Sequence, residues 1–186
     1  MSTTSAFTTA SVEGTGAAFT DNDNILAEDG VFATAILNPT ESTKILVLSE
    51  LATEIASDQT VTGFLVRLKS RAAGGVVQVG FLQPRKGAIL CPNMAAMEAV
   101  PTVLGWLEWG GPGYMCSTSW TPAEANAIAV ALWFVNVNQE VTADLFEADM
   151  AELVVYHHTT EAPTTATSAG PLSRGHRGFE SARYRH

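Results

Sequence analysis

Hydrophobic and polar positions alternate in short stretches along this chain, and turn-forming residues interrupt them about every ten residues. From Phe64 to Arg71 the alternation is cleanest. Phe64, Val66 and Leu68 fall on one side, and Leu65, Arg67, Lys69 and Arg71 on the other, as in a half-exposed strand. Ala72-Ala73-Gly74-Gly75 then predicts a hairpin turn, and Val76 to Leu82 a returning strand. Strands are also predicted over 31–37, 44–48, 88–91 and 151–156. Helical turns are predicted over 49–55 and 94–99, and a turn at Pro84-Arg85-Lys86-Gly87.

The longest apolar run, Ala127 to Val135, is rich in Val and bounded by Asn126 and Asn136. Its length and β-branched content predict a strand buried on both faces or nearly so. Immediately before it, Thr121 and Glu124 have the spacing of a capping box, with Pro122 at the first helical position. This predicts a short helical turn, with Trp120 as a packing anchor at its head. Short strands with frequent turns and no βαβ alternation predict an all-β fold, an antiparallel β-sandwich of jelly-roll type. The organisation expected is an extended N-terminal arm (1–20), a sandwich domain (21–156) and a low-complexity, basic C-terminal tail (157–186). The arm is assigned on its Ser, Thr, Ala and Gly content.

Of the 186 residues, 46% are hydrophobic and only 16% charged, with a net charge of −9. Residues 1–156 hold 17 acidic and 6 basic side chains, and residues 157–186 hold 2 and 4. An acidic body argues against binding to nucleic-acid phosphates. The cation row Arg67, Lys69 and Arg71 has no interleaved aromatic and reads as a solvated face or as partners for acidic neighbours in an assembly. No secretory signal is recognised, and the longest apolar run falls short of the ~20 residues a membrane helix needs. Cys91 and Cys116 are too few for a disulfide framework. They read as buried small hydrophobes, with one disulfide as the alternative.

Catalytic patterns are absent from the sequence. The glycines at 110, 111 and 113 are not followed by Lys-Ser/Thr, and no Gly-x-Ser-x-Gly elbow occurs. His157, His158, His176 and His186 all fall after the last predicted strand, which disfavours a metal site. Asp21-Asn22-Asp23-Asn24 lacks the glycine and distal glutamate of a calcium loop and reads as a turn. Glu98 and Glu108 are a formal carboxylate pair for glycoside hydrolysis, with nothing to fix their separation. The expectation is a non-enzymatic chain without cofactor or metal.

Several stretches, taken in order, carry a resemblance. They are Asp29-Gly30-Val31-Phe32-Ala33-Thr34-Ala35, the strand from Thr60 to Ala72, Trp109-Gly110-Gly111, the Trp120-Thr121-Pro122-Ala123-Glu124 turn with its apolar strand, and Val154-Val155-Tyr156. Over roughly residues 28–156 this order resembles the β-sandwich domains of virion structural proteins of tailed bacteriophages. The resemblance implies a structural module without catalytic residues, a capsid decoration or cement protein. A neck or tail-fibre component is the alternative within the family. It implies the major capsid protein or other virion proteins as partners, an oligomeric or lattice-bound state, synthesis in the host cytoplasm and residence in the virion. Neither nucleic acid nor membrane is expected as a partner. Candidate partner-binding residues are Phe179, Arg183 and Tyr184 in the tail, with Trp109 and Tyr114 in the body. A separate class of function, a carbohydrate-binding module, would use exposed Trp106, Trp109 and Tyr114 as stacking faces.

Overall fold

In a computed structural model, residues 1–95, 97–139 and 143–159 are described. Among the described residues, ten strands form two antiparallel sheets, accompanied by a 3-10 turn at Asn22–Ile25 and one short helix. The strands are β1 (Ser2–Glu13), β2 (Ala33–Leu37), β3 (Ile45–Leu51), β4 (Gln59–Ala72), β5 (Val77–Lys86), β6 (Ile89–Leu90), β7 (Glu98–Ala99), β8 (Gly105–Gly111), β9 (Ala129–Asn136) and β10 (Asp144–Thr159); the helix is α1 (Pro122–Asn126).

In the first sheet β10 pairs with β4, and β4 with β8. The other edge of β10 is shared, with β2 along Asp144–Ala148 and the start of β1 along Glu152–Tyr156. The second sheet runs β1–β3–β9–β5, and β6 and β7 add to the far side of β5. The architecture is a β-sandwich, as predicted. Its interior joins the sheets through Phe134 of β9 and Phe146 of β10, stacked with centroids 3.9 Å apart. Phe19 meets both rings edge-on at 6.3 and 6.2 Å.

β1 corrects the expectation of an N-terminal arm. Ser2–Ala6 pairs with β10 and Phe7–Glu13 with β3, so this strand crosses from one sheet to the other. Its composition resembles a linker because so little of it is buried. Ser5 and Phe7 point inward, and the flanking Thr and Ala are half-exposed or exposed. Backbone pairing supplies what apolar content lacks, and the β-branched threonines suit an extended chain.

Other boundaries move as well. β3 continues to Leu51 where a helical turn was expected, and β5 runs through Pro84 to Lys86 before turning at Gly87. Pro84 has no N–H to donate, but its carbonyl accepts from Cys91 N at 2.9 Å. Glu98–Ala99 pairs with β5 and is not helical. His157 and His158 belong to β10, whose pairing with β4 extends to Thr159. The start of the predicted tail, 157–159, is thus strand; the rest of it, His176 and His186 included, lies outside the described residues.

α1 follows the predicted chemistry. Thr121 Oγ1 accepts from Glu124 N at 3.2 Å, and Thr121 N donates to Glu124 Oε2 at 2.9 Å. Trp120 is buried and meets Phe64 edge-on at 4.8 Å.

Candidate functional site

The outer face of each sheet is a possible site, and the two differ in chemistry. On the first sheet the cations of β4 find carboxylates within the chain. Arg67 pairs with Glu108 and Glu152, Lys69 with Glu28 and Asp149, and Arg71 with Glu147. Hydrogen bonds to Glu28 and Asp149 raise the Lys69 pKa, and the bond to Glu147 raises that of Arg71. The row seen in sequence is therefore a self-neutralised ladder.

The second sheet is built differently. In β9, Val130, Leu132, Phe134 and Asn136 point to the interior, so Ala129, Ala131, Trp133 and Val135 point outward. Register then sets three outward rows. Thr9, Ser49, Ala129 and Arg85 form one, and Ser11, Val47, Ala131 and Gln83 the next. In the third, Glu13 pairs with Ile45 and Trp133 with Phe81, while Ile45 and Trp133 line one pocket. Small side chains floor the centre, an aromatic and aliphatic row crosses one end, and hydroxyls, an amide and a charged pair form the margins.

This face is concave. β5 and β1 are separated by β9 and β3, a distance of about 14 Å in a flat sheet. Arg85 Nη2 nevertheless donates to Glu13 Oε1 at 2.5 Å. That reach requires the sheet to curl toward its outer side. Ala131 agrees, since it points away from the interior yet is fully buried.

Trp133 is half-buried, and Gly80 explains its attitude. A Cβ built on Gly80 would come within 2.8 Å of the indole, so the benzo ring lies over the backbone of β5 at its bulge. On the β3 side, Trp133 lines a surface pocket of about 290 Å³ with Gly14, Thr15, Ser42, Thr43 and Ile45. Larger pockets of about 400 and 490 Å³ flank α1, sharing Ala123 and Ala127. Neither has an aromatic in its lining, and the Lys86 and Glu124 charges in the first are paired to each other. The Trp133 face is therefore the better candidate for recognising a ligand with both apolar and polar surfaces.

A disulfide supports one margin. Cys91 and Cys116 are bonded, with Cα atoms 5.0 Å apart, and Gln83 Nε2 donates to Cys91 O. The expectation of two free, buried cysteines is corrected: β5–β6 and the turn after β8 bring residues 25 apart in sequence into contact.

The aromatics singled out in sequence lie elsewhere. Trp109 points inward from β8, is 5% exposed and donates Nε1–H to Glu98 at 2.6 Å, so it presents no stacking face. Tyr114 is half-buried, its hydroxyl donates to Pro92 O at 3.1 Å, and burial raises its pKa. Trp106 is half-buried on the outer face of the first sheet, with the Arg67 guanidinium over it at 4.4 Å. Glu98 and Glu108 are engaged by Trp109 and Arg67 and are not a facing pair. Phe179, Arg183 and Tyr184 lie outside the described residues. Trp133 escaped the sequence reading because both faces of β9 are apolar, which hides the alternation; its one visible signal is the series Ala129, Ala131, Trp133 at period two.

No family model matches the chain, and no curated protein matches it. Among the solved structures similar to it are two of carbohydrate-binding type. One is described as "CBM4 structure and function", with a TM-score of 0.36, 10% identity and coverage of 84% of this chain and 94% of that one. The other is the N-terminal cellulose-binding domain from Cellulomonas fimi β-1,4-glucanase C, with a TM-score of 0.32, 11% identity and coverage of 84% and 88%. These findings overturn the expectation of a phage capsid decoration protein. The matched structures are carbohydrate-binding modules, and none of these matches is a virion protein. At such low scores the likeness carries no function across, and the site is judged on this chain's own residues.

Proposed function

We propose that this chain is a non-catalytic carbohydrate-binding domain whose ligand lies on the concave outer face of the second sheet. The observation that carries this reading is half-buried Trp133, its benzo ring packed against Gly80, beside Ile45 and Phe81. A sugar ring has an apolar C–H face and a rim of hydroxyls. It needs a flat aromatic surface with hydrogen-bonding groups at the side, and burial of such a surface supplies most of the contact energy. Ser11, Thr9, Gln83, Arg85 and Glu13 supply donors and acceptors on the same face. The first sheet offers no equivalent, since its cations are satisfied by neighbours and Trp106 is capped by Arg67.

Affinity electrophoresis in gels containing soluble β-glucan, xylan or hydroxyethylcellulose tests the reading. Retardation of the wild type by at least one of these, abolished in Trp133→Ala with folding unchanged, is the expected result. An unretarded wild type, or a Trp133→Ala variant retarded equally, overturns it.

A further inference from the structure

The groove's cation is closed on its own anion. The Arg85 guanidinium stands over the small-residue floor and is paired with Glu13 from the far side of the sheet. An acidic glycan would have to compete with Glu13 for that charge. It would also approach a segment, residues 1–156, that holds 17 acidic and 6 basic side chains. An uncharged chain meets neither obstacle. Arg85 Nε–H, moreover, is buried and has no hydrogen-bond partner. A buried donor left unmade is costly, so the guanidinium gains by shifting toward an incoming neutral oxygen. A hydroxyl supplies that oxygen without displacing the carboxylate.

We infer that the groove selects uncharged, hydroxyl-bearing glycan chains over uronic-acid or sulfated ones, with the Arg85–Glu13 pair as its specificity element. This rests on the carbohydrate-binding reading above. Glu13 contributes discrimination by occupying the cation, and Arg85 contributes a donor to the neutral ligand.

The test compares wild type, Glu13→Gln, Arg85→Gln and Trp133→Ala against neutral oligosaccharides (cello- and xylo-oligomers) and oligogalacturonate, by calorimetry at low salt. The wild type should bind a neutral oligomer and show no measurable binding to oligogalacturonate. Glu13→Gln, at a half-exposed edge position, should fold normally. It should gain oligogalacturonate binding by about tenfold or more, an effect that fades at about 0.5 M salt as unpaired charges are screened. Arg85→Gln should weaken neutral binding without creating acidic binding. If the wild type binds oligogalacturonate as tightly as neutral oligomers, in a Trp133-dependent way, the selectivity falls and the carbohydrate reading stands. If Glu13→Gln leaves the preference unchanged, the pair is not its source. If no oligosaccharide binds, both inferences fall together.

Discussion

The indole of Trp133 occupies the space that a side chain on Gly80 would need, with ring atoms 2.8 and 2.9 Å from the position of a Cβ. Gly80 is not in the left-handed region, so alanine is allowed there by the backbone and excluded only by the ring. Gly80→Ala should therefore act as a local wedge. It should tilt the indole off β5, change the near-ultraviolet circular dichroism, and lower affinity for a neutral glycan about tenfold, while the unfolding midpoint moves little. An unchanged affinity would show that the position of the ring against Gly80 is not what the ligand uses.

The disulfide supports the same face through Gln83. In the loop-entropy account, a cross-link between residues 25 apart contributes about 3.5 kcal/mol. Denaturant unfolding of the oxidised protein, the reduced protein and the Cys91→Ser/Cys116→Ser variant should reveal a loss of about that size in both of the latter. Glycan affinity should fall less than in Trp133→Ala, because Gln83 loses its anchor at Cys91 O while the aromatic row stays in place. Equal stability with and without reductant would mean that the bond adds nothing to the fold.

Where one face of an element is wet and the other dry, its sequence announced it. β4 is the example, with Phe64, Val66 and Leu68 inward and Arg67, Lys69 and Arg71 outward. α1 was legible too, since a capping box is written entirely in local residues. The candidate site was not. Ala131 and Trp133 sit in a nine-residue apolar run where alternation has no polar phase, and only curvature of the sheet turns their face into a groove. β1 failed for the opposite reason: with Ser5 and Phe7 alone clearly inward, partners distant in sequence specify it, Tyr156 for Ser2 and Leu51 for Phe7. The carboxylate partners of the β4 cations are likewise set by register and not by local spacing.

Removing the helix cap should have a limited, measurable effect. Thr121→Ala deletes the hydroxyl that accepts from Glu124 N. The backbone bond from Thr121, followed by the bond from Lys86, holds the Glu124 carboxyl below its ordinary pKa. Lys86 in turn lies 5.3 Å from the Trp120 ring. The expected cost is about 1 kcal/mol by denaturant unfolding, with most of it recovered in Thr121→Ser. A cost near zero in Thr121→Ala would mean that packing of Trp120 and Ala125 holds α1 unaided.

His157 should make the closing end of the sandwich sensitive to pH. Its Nδ1 faces Gln59 Oε1 and its Nε2 faces Thr3 Oγ1, each at 2.9 Å. Since the glutamine oxygen only accepts, the neutral ring carries its proton on Nδ1 and takes a bond from the Thr3 hydroxyl on Nε2. Burial, then the Met1 ammonium and then His158 lower the His157 pKa from its ordinary 6.5. The folded state thus resists protonation that the unfolded chain accepts. Stability from this group is fully present above pH 6.5 and is lost progressively as pH falls from there through the lowered folded value. His157→Gln removes the titration but not the polar contacts. The unfolding free energy of wild type minus that of His157→Gln should therefore fall as pH is lowered from 8 to 5, while the carboxylates add a common slope to both. Parallel curves over that range would show that His157 titrates alike in the folded and unfolded chains.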